Sequence, residues 1–158
     1  MLLDDARKIL AAWDQRVLDD ETVVAWADDV IEHTNAADIP AWLLDLSVCG
    51  PTKCTARPSA DFIWLPPLSF SESFGLRARV LDLGSDTAVE EFVEWLSRAC
   101  IGESLDLPEV RFGYDVEHLW GDCDRMDLAC ERVRATLPTL RRPLDPLLEA
   151  LLPAARQA

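Results

Sequence analysis

Apolar positions in the first fifty residues recur at helical spacing in three separate stretches. Leu2, Ala6, Ile9, Leu10, Trp13 and Val17 make one apolar face of a first helix. Leu18-Asp19-Asp20-Glu21 ends that helix and opens the next, with Asp19 or Asp20 as N-cap and Glu21 favourable in the first turn. The second helix turns Val23, Trp26, Ala27, Val30 and Ile31 inward and carries His33 near its C-terminus. Asp38-Ile39-Pro40 restarts the chain, because proline is tolerated in a first turn. A third helix then buries Trp42, Leu43 and Leu46, and Cys49-Gly50-Pro51 stops it.

The pattern changes over residues 51–69. Pro51, Pro58, Pro66 and Pro67 make a long helix unfavourable and predict a Pro-rich connection. Within it, Phe62-Ile63-Trp64-Leu65 reads as a short strand or as a loop anchored in the core. Residues 70–83 support two periods. Phe70, Phe74, Ala78 and Leu81 fit a helix, whereas Leu76, Ala78 and Val80 alternating with Arg77 and Arg79 fit a strand. The helix is preferred although Gly75 costs it about 1 kcal/mol; one short strand pair in residues 62–83 is the alternative.

Helical spacing is regular again from Ser85, an N-cap candidate before Val89, Phe92, Val93 and Leu96, and Gly102 ends that helix. Val116, Leu119, Cys123, Met126, Cys130, Val133 and Leu137 then alternate steps of three and four. Such a seam predicts one helix of about six turns, closed by Pro138. A last helix opens at Asp145-Pro146 and buries Leu147, Leu148, Leu151 and Leu152. The expected fold is mainly α: one compact helical domain over residues 1–158 with about six to seven helices. It is organised as a three-helix section (1–50), the connection (51–69) and a helical remainder (70–158).

Composition sharpens this picture. The chain has 158 residues, 49% of them apolar, and a net charge of -14, far too apolar for a disordered acidic tail. No apolar run reaches the ~20 residues that span a bilayer, and acids stand where a signal peptide needs positive charge. A cytoplasmic protein without a membrane or nucleic-acid partner is therefore expected, since phosphate contacts are made by clustered Lys and Arg. The five cysteines are odd in number and widely spaced, which fits reduced thiols.

Candidate chemistry is sparse. Cys49-x4-Cys54 and His118-x4-Cys123 lie near zinc-ligand spacing but lack a tight knuckle, and on a continuous helix His118 points away from Cys123. Asp122, Asp124 and Asp127 resemble the start of a calcium loop, yet Met126 stands at its fifth position and no glycine follows. His33 reads as a favourable C-terminal residue of its helix, and His118 with Asp122 as a surface pair. No phosphate loop, nucleophile elbow or dinucleotide unit occurs. No cofactor, metal or catalytic residue is expected, although a metal- or carboxylate-dependent enzyme, or a metal protein, using carboxylates such as Glu117, Asp122 and Asp124 or the thiols, is the alternative.

The charge is unevenly placed. From Val17 to Thr52 there is no Lys or Arg, whereas eight acids occur. On the second helix Glu21, Asp28 and Glu32 share one outward side. This side reads either as a solvated face that keeps the protein soluble or as a surface for a basic protein. The candidate partner-binding residues are Asp19, Asp20, Glu21, Asp28, Asp29, Glu32 and Asp38, with Trp64 as an apolar anchor. A scaffold that binds through Trp64 and other apolar surface is the further alternative. The stretch from Trp13 through Val23-Val24-Ala25-Trp26-Ala27 to Pro40-Ala41-Trp42-Leu43-Leu44-Asp45-Leu46-Ser47 resembles short bacterial proteins of uncharacterised families. Some small acidic helical proteins of that kind act as immunity proteins beside toxins. The resemblance carries no diagnostic motif and assigns no family. With the lack of catalytic apparatus, it implies a non-catalytic protein of immunity or inhibitor type.

Overall fold

The spacing of apolar residues is realised as helices throughout a computed structural model, which describes residues 2–58 and 68–152. The elements are α1 (Leu2–Asp14), α2 (Asp20–Glu32), a 3-10 turn (Ala36–Asp38), α3 (Ala41–Ala56), α4 (Phe70–Val80), α5 (Asp86–Ala99), α6 (Pro108–Glu117), a π turn (His118–Asp122), α7 (Met126–Leu140) and α8 (Pro146–Leu151). The fold is mainly α, with no strand among the described residues. The Phe62–Leu65 run and Trp64 lie outside them. Packing divides the chain into two units, Met1–Pro67 with Asp145–Ala158, and Leu68–Leu144.

In the first unit α1 buries Ala6, Ile9, Leu10 and Ala12, and α2 buries Val23, Trp26 and Ala27. The corner between them is a Schellman closure. Arg16 N–H donates to the Trp13 carbonyl (2.8 Å) and Val17 N–H to that of Ala12 (2.9 Å). Arg16 occupies the left-handed position (φ 60°) that glycine usually fills. Asp19 is the N-cap of α2, accepting from Thr22 N–H. α2 lies along α3, the most extensive helix contact of this unit, and α8 returns to α1. There Lys8 Nζ meets the Asp145 carboxylate at 2.7 Å.

One boundary of the expected connection moves. Gly50 (φ 73°, ψ 163°) breaks α3, as its sequence predicts, but a helical stretch resumes from Pro51 to Ala56. Proline is suited to start it, because its missing N–H would have no helical partner in a first turn. The Thr55 hydroxyl donates to the Pro51 carbonyl at 2.8 Å.

In the second unit residues 70–80 are helix, which corrects the strand alternative over that stretch. The reason is local: Ser69 and Glu72 form a complete capping box, with Ser69 N–H donating to the Glu72 carboxylate at 2.8 Å. At the other end the Arg141 guanidinium donates to the Ala78 (2.8 Å) and Leu81 (2.6 Å) carbonyls, occupying acceptors that the helix leaves open. The core joins Phe74, Val89, Val93, Leu96, Val110, Val116, Val133 and Leu137. Trp95 stacks on Phe70 at 6.2 Å with Arg77 4.7 Å from its ring.

The seam through residues 116–137 is not one helix. α6 ends at Glu117, the π turn follows, and α7 begins at Met126. Val116, Cys130, Val133 and Leu137 are core positions as predicted, whereas Cys123 is exposed at the bend. Each half keeps its own phase, so the run of threes and fours survives the break. α7 also continues past Pro138 to Leu140.

Candidate functional site

α2 is oriented by its apolar side, and its remaining circumference carries the acids. Glu21, Asp28, Asp29 and Glu32 are exposed, and Asp38 is exposed in the 3-10 turn that follows. Among the described residues no Lys or Arg pairs with any of these five. His33 sits at the end of the row, with Nδ1 2.7 Å from the Asp29 carbonyl and 3.5 Å from its carboxylate. The Asp29 carbonyl, followed by the Asp29 and Glu32 carboxylates, holds the His33 imidazole above its ordinary value.

The candidate acids are not equivalent. Asp19 is occupied in capping Thr22. The Asp20 carboxylate accepts from Trp13 Nε1 at 2.7 Å and from the Thr52 hydroxyl at 3.2 Å, tying α2 to α1 and α3. The Ser47 hydroxyl of α3 donates to Asp28. Among the described residues, Glu21, Asp29, Glu32 and Asp38 are the candidate acids left without a hydroxyl, amide or indole donor outside their own helix end.

Sequence reasoning missed the exposed apolar residues of α3, the helix whose Ser47 bonds Asp28. On α3, next to Ser47, Val48 is 82% exposed and Leu44 45% exposed. Both were visible on a helical wheel, because they fall opposite Trp42, Leu43 and Leu46. An open cleft of about 460 Å³ at the α1–α2 corner is lined by Trp13, Asp14, Arg16 and Asp20 among others. Two of its acids, Asp19 and Asp20, are already engaged in the fold.

The thiols fall into two groups. Cys54, Cys100 and Cys130 are buried, and burial pushes each thiol up, as expected of inert core cysteines. Cys49 and Cys123 are exposed. Contrary to the continuous-helix reading, His118 faces Cys123, with Nε2 3.8 Å from Sγ. An α-helix would place these two positions about 140° apart. The π turn closes on the i+5 residue instead, and Cys123 N–H donates to the His118 carbonyl at 3.1 Å. His118 Nδ1 contacts the Asp122 carboxylate at 2.9 Å. Because the two ring nitrogens point to different partners, the three groups do not converge on one point. No cluster of three or more His, Cys, Asp or Glu among the described residues is placed to hold a metal ion.

The calcium-like acids are likewise separated: Asp122 faces His118, Asp127 is bound by Arg125, and Asp124 turns the chain with φ 52°. Glu109 is buried, accepting from the Ser71 hydroxyl at 2.6 Å with Arg142 at 3.6 Å, a structural arrangement between α4 and α6. No helix among the described residues is long and apolar enough to cross a membrane. The chain matches no protein-family model, no curated protein and no solved structure.

Proposed function

We propose that this is a non-catalytic acidic protein of the cytoplasm that binds a basic protein through the outward side of α2, in an inhibitor or immunity-type role. The observation that carries the proposal is the row Glu21, Asp28, Asp29 and Glu32, exposed and without a Lys or Arg partner among the described residues. An unneutralised row of one sign concentrates potential and speeds encounter with a cation-rich surface. Val48 and Leu44 on α3, the helix whose Ser47 bonds Asp28, supply exposed apolar area of the kind that interfaces place next to a charged rim. Five free cysteines fit a reducing compartment.

The test begins with capture of a basic protein from native lysate at low salt and its release by rising salt. Its association rate is then measured with the wild type and with the Glu21→Lys/Glu32→Lys variant. These two positions leave the Asp28–Ser47 and Asp20–Trp13 contacts intact. Association slowed about tenfold or more, with a flattened salt dependence, is the expected result. An unchanged rate removes this face from the proposal. Salt-insensitive binding abolished by Val48→Asp would instead favour the scaffold reading, which the exposure of Val48 recommends.

A further inference from the structure

The bend between α6 and α7 brings together a thiol, an imidazole and a carboxylate in an order that has chemical meaning. In the neutral imidazole the Asp122 carboxylate, which only accepts hydrogen bonds, favours the tautomer with its proton on Nδ1, 2.9 Å away. That leaves Nε2 with its lone pair directed toward Cys123 Sγ at 3.8 Å. A nucleophile faces a base, and the base is oriented by a third group. The arrangement depends on the π turn, a form that often marks functional positions within helices. It is also open: all three residues are exposed.

We propose that Cys123 is a thiol–disulfide exchange site for small cationic disulfides, with His118 as its base and Asp122 as the positioning residue of that base. The thiol proton passes from Sγ to His118 Nε2, and the thiolate attacks one sulfur of the disulfide. A new S–S bond joins Cys123 to that sulfur while the original S–S bond breaks. The departing thiolate takes the proton back from His118 and leaves as a free thiol. Cys123 is oxidised and the small disulfide is reduced, with no other co-reactant. The remaining buried cysteines of this unit, Cys100 and Cys130, stay out of the exchange, so the product is a stable mixed disulfide.

The charge around the thiol selects the class of disulfide. Glu117 closes α6, Asp122 and Asp124 flank Cys123, and Asp127 and Glu131 lie on α7. Of the nearby cations, Arg125 is held by both oxygens of Asp127 (2.8 and 2.6 Å), and Arg132 by Asp115 at 3.0 Å. The surplus is negative, which attracts an ammonium-bearing disulfide and repels a carboxylate-bearing one.

The test treats the full chain with cystamine at pH 7 and follows each cysteine by intact mass and peptide mapping. Cys49, exposed but with no imidazole partner among the described residues, is the internal comparator. Cys123 should form the mixed disulfide about tenfold faster than Cys49, a modest general-base effect for an open site. His118→Gln should remove that advantage and leave the Cys49 rate unchanged, and Asp122→Asn should reduce it in part. Dithiodiglycolate, an anionic disulfide of similar size, should react more slowly at Cys123 than cystamine. Equal rates at the two cysteines, or a Cys123 rate indifferent to His118→Gln, would overturn the site. A preference for the anionic reagent would overturn the substrate class. Neither result bears on the acidic side of α2, which belongs to the other unit.

Discussion

Gly113 on α6 lets two helices approach more closely than any side chain would permit. A Cβ built there would stand 2.6 Å from Cys100 Cβ, 3.0 Å from its Sγ and 3.3 Å from Leu96 Cδ1. Ordinary contact begins near 3.4 Å, so Gly113→Ala forces α5 and α6 apart by close to an ångström. Separations of that order forfeit a quarter to a half of the dispersion energy along the contact. Overpacking of this kind costs about 1–3 kcal/mol. Alanine returns about 1 kcal/mol of helix propensity. Because the obstacle is a Cβ rather than a flexible chain end, the upper part of the packing cost applies, and the net loss is about 1–2 kcal/mol. Gly75 on α4 in the same unit is the control. Nothing lies within 4 Å of its Cβ direction, so Gly75→Ala should gain about 0.5–1 kcal/mol. Urea unfolding followed by near-UV dichroism, with the slope held constant, measures both. Cys100→Ala in the Gly113→Ala background should rescue little, because it keeps the offending Cβ. A Gly113→Ala protein as stable as the wild type would refute the close-approach argument.

Two further outcomes follow from the first unit. Gly50 combines φ 73° with ψ 163°, a region open essentially only to glycine, so Gly50→Ala should lose about 1–3 kcal/mol in the same unfolding assay; no loss would contradict the strained junction with Pro51. His33 is held above its ordinary value in the folded protein, chiefly by the Asp29 carbonyl, so its contribution is fully present below the unfolded-state value and lost as pH rises through the folded one. The C-terminal turn of α2 should accordingly be firmer at pH 5.5 than at pH 8.5, and proton NMR should place the His33 midpoint above 6.5; a midpoint at or below 6.5 would refute the contact.

Which features were legible depended on how far apart the deciding residues lie. α1, α2 and α5 were readable because their apolar stripes are continuous and their caps, Asp19 and Ser85, adjoin them. The helix over residues 70–80 was the preferred reading, but the alternating arginines kept a strand open, although Ser69-x-x-Glu72, a capping box in sequence, decides for the helix. The bend after Glu117 was not. Apolar spacing reports the phase of each half, and a turn that lets each half meet the core leaves that spacing undisturbed. For the same reason the spacing placed His118 and Cys123 apart when the π turn brings them together. On α2 the absence of cations was visible, but the engagement of Asp20 and Asp28 by Trp13, Thr52 and Ser47 was not. Those contacts depend on how α2 meets its neighbours, which no local pattern specifies.

The return of α8 to α1 has a kinetic side. The second unit is an uninterrupted stretch of chain, and α5, α6 and α7 contact their neighbours in sequence. Few long loops must close to form it, the condition under which helical domains fold fastest. The first unit is split, and its Lys8–Asp145 pair spans 137 residues of chain. During synthesis the whole of the second unit emerges before Asp145 does. Folding of that insert shortens the effective loop that remains to be closed, and with it the entropy lost when α8 docks. The inserted unit thus sets the pace for the unit that encloses it in sequence, and α1 waits on α8, the last helix among the described residues, for its packing to be complete.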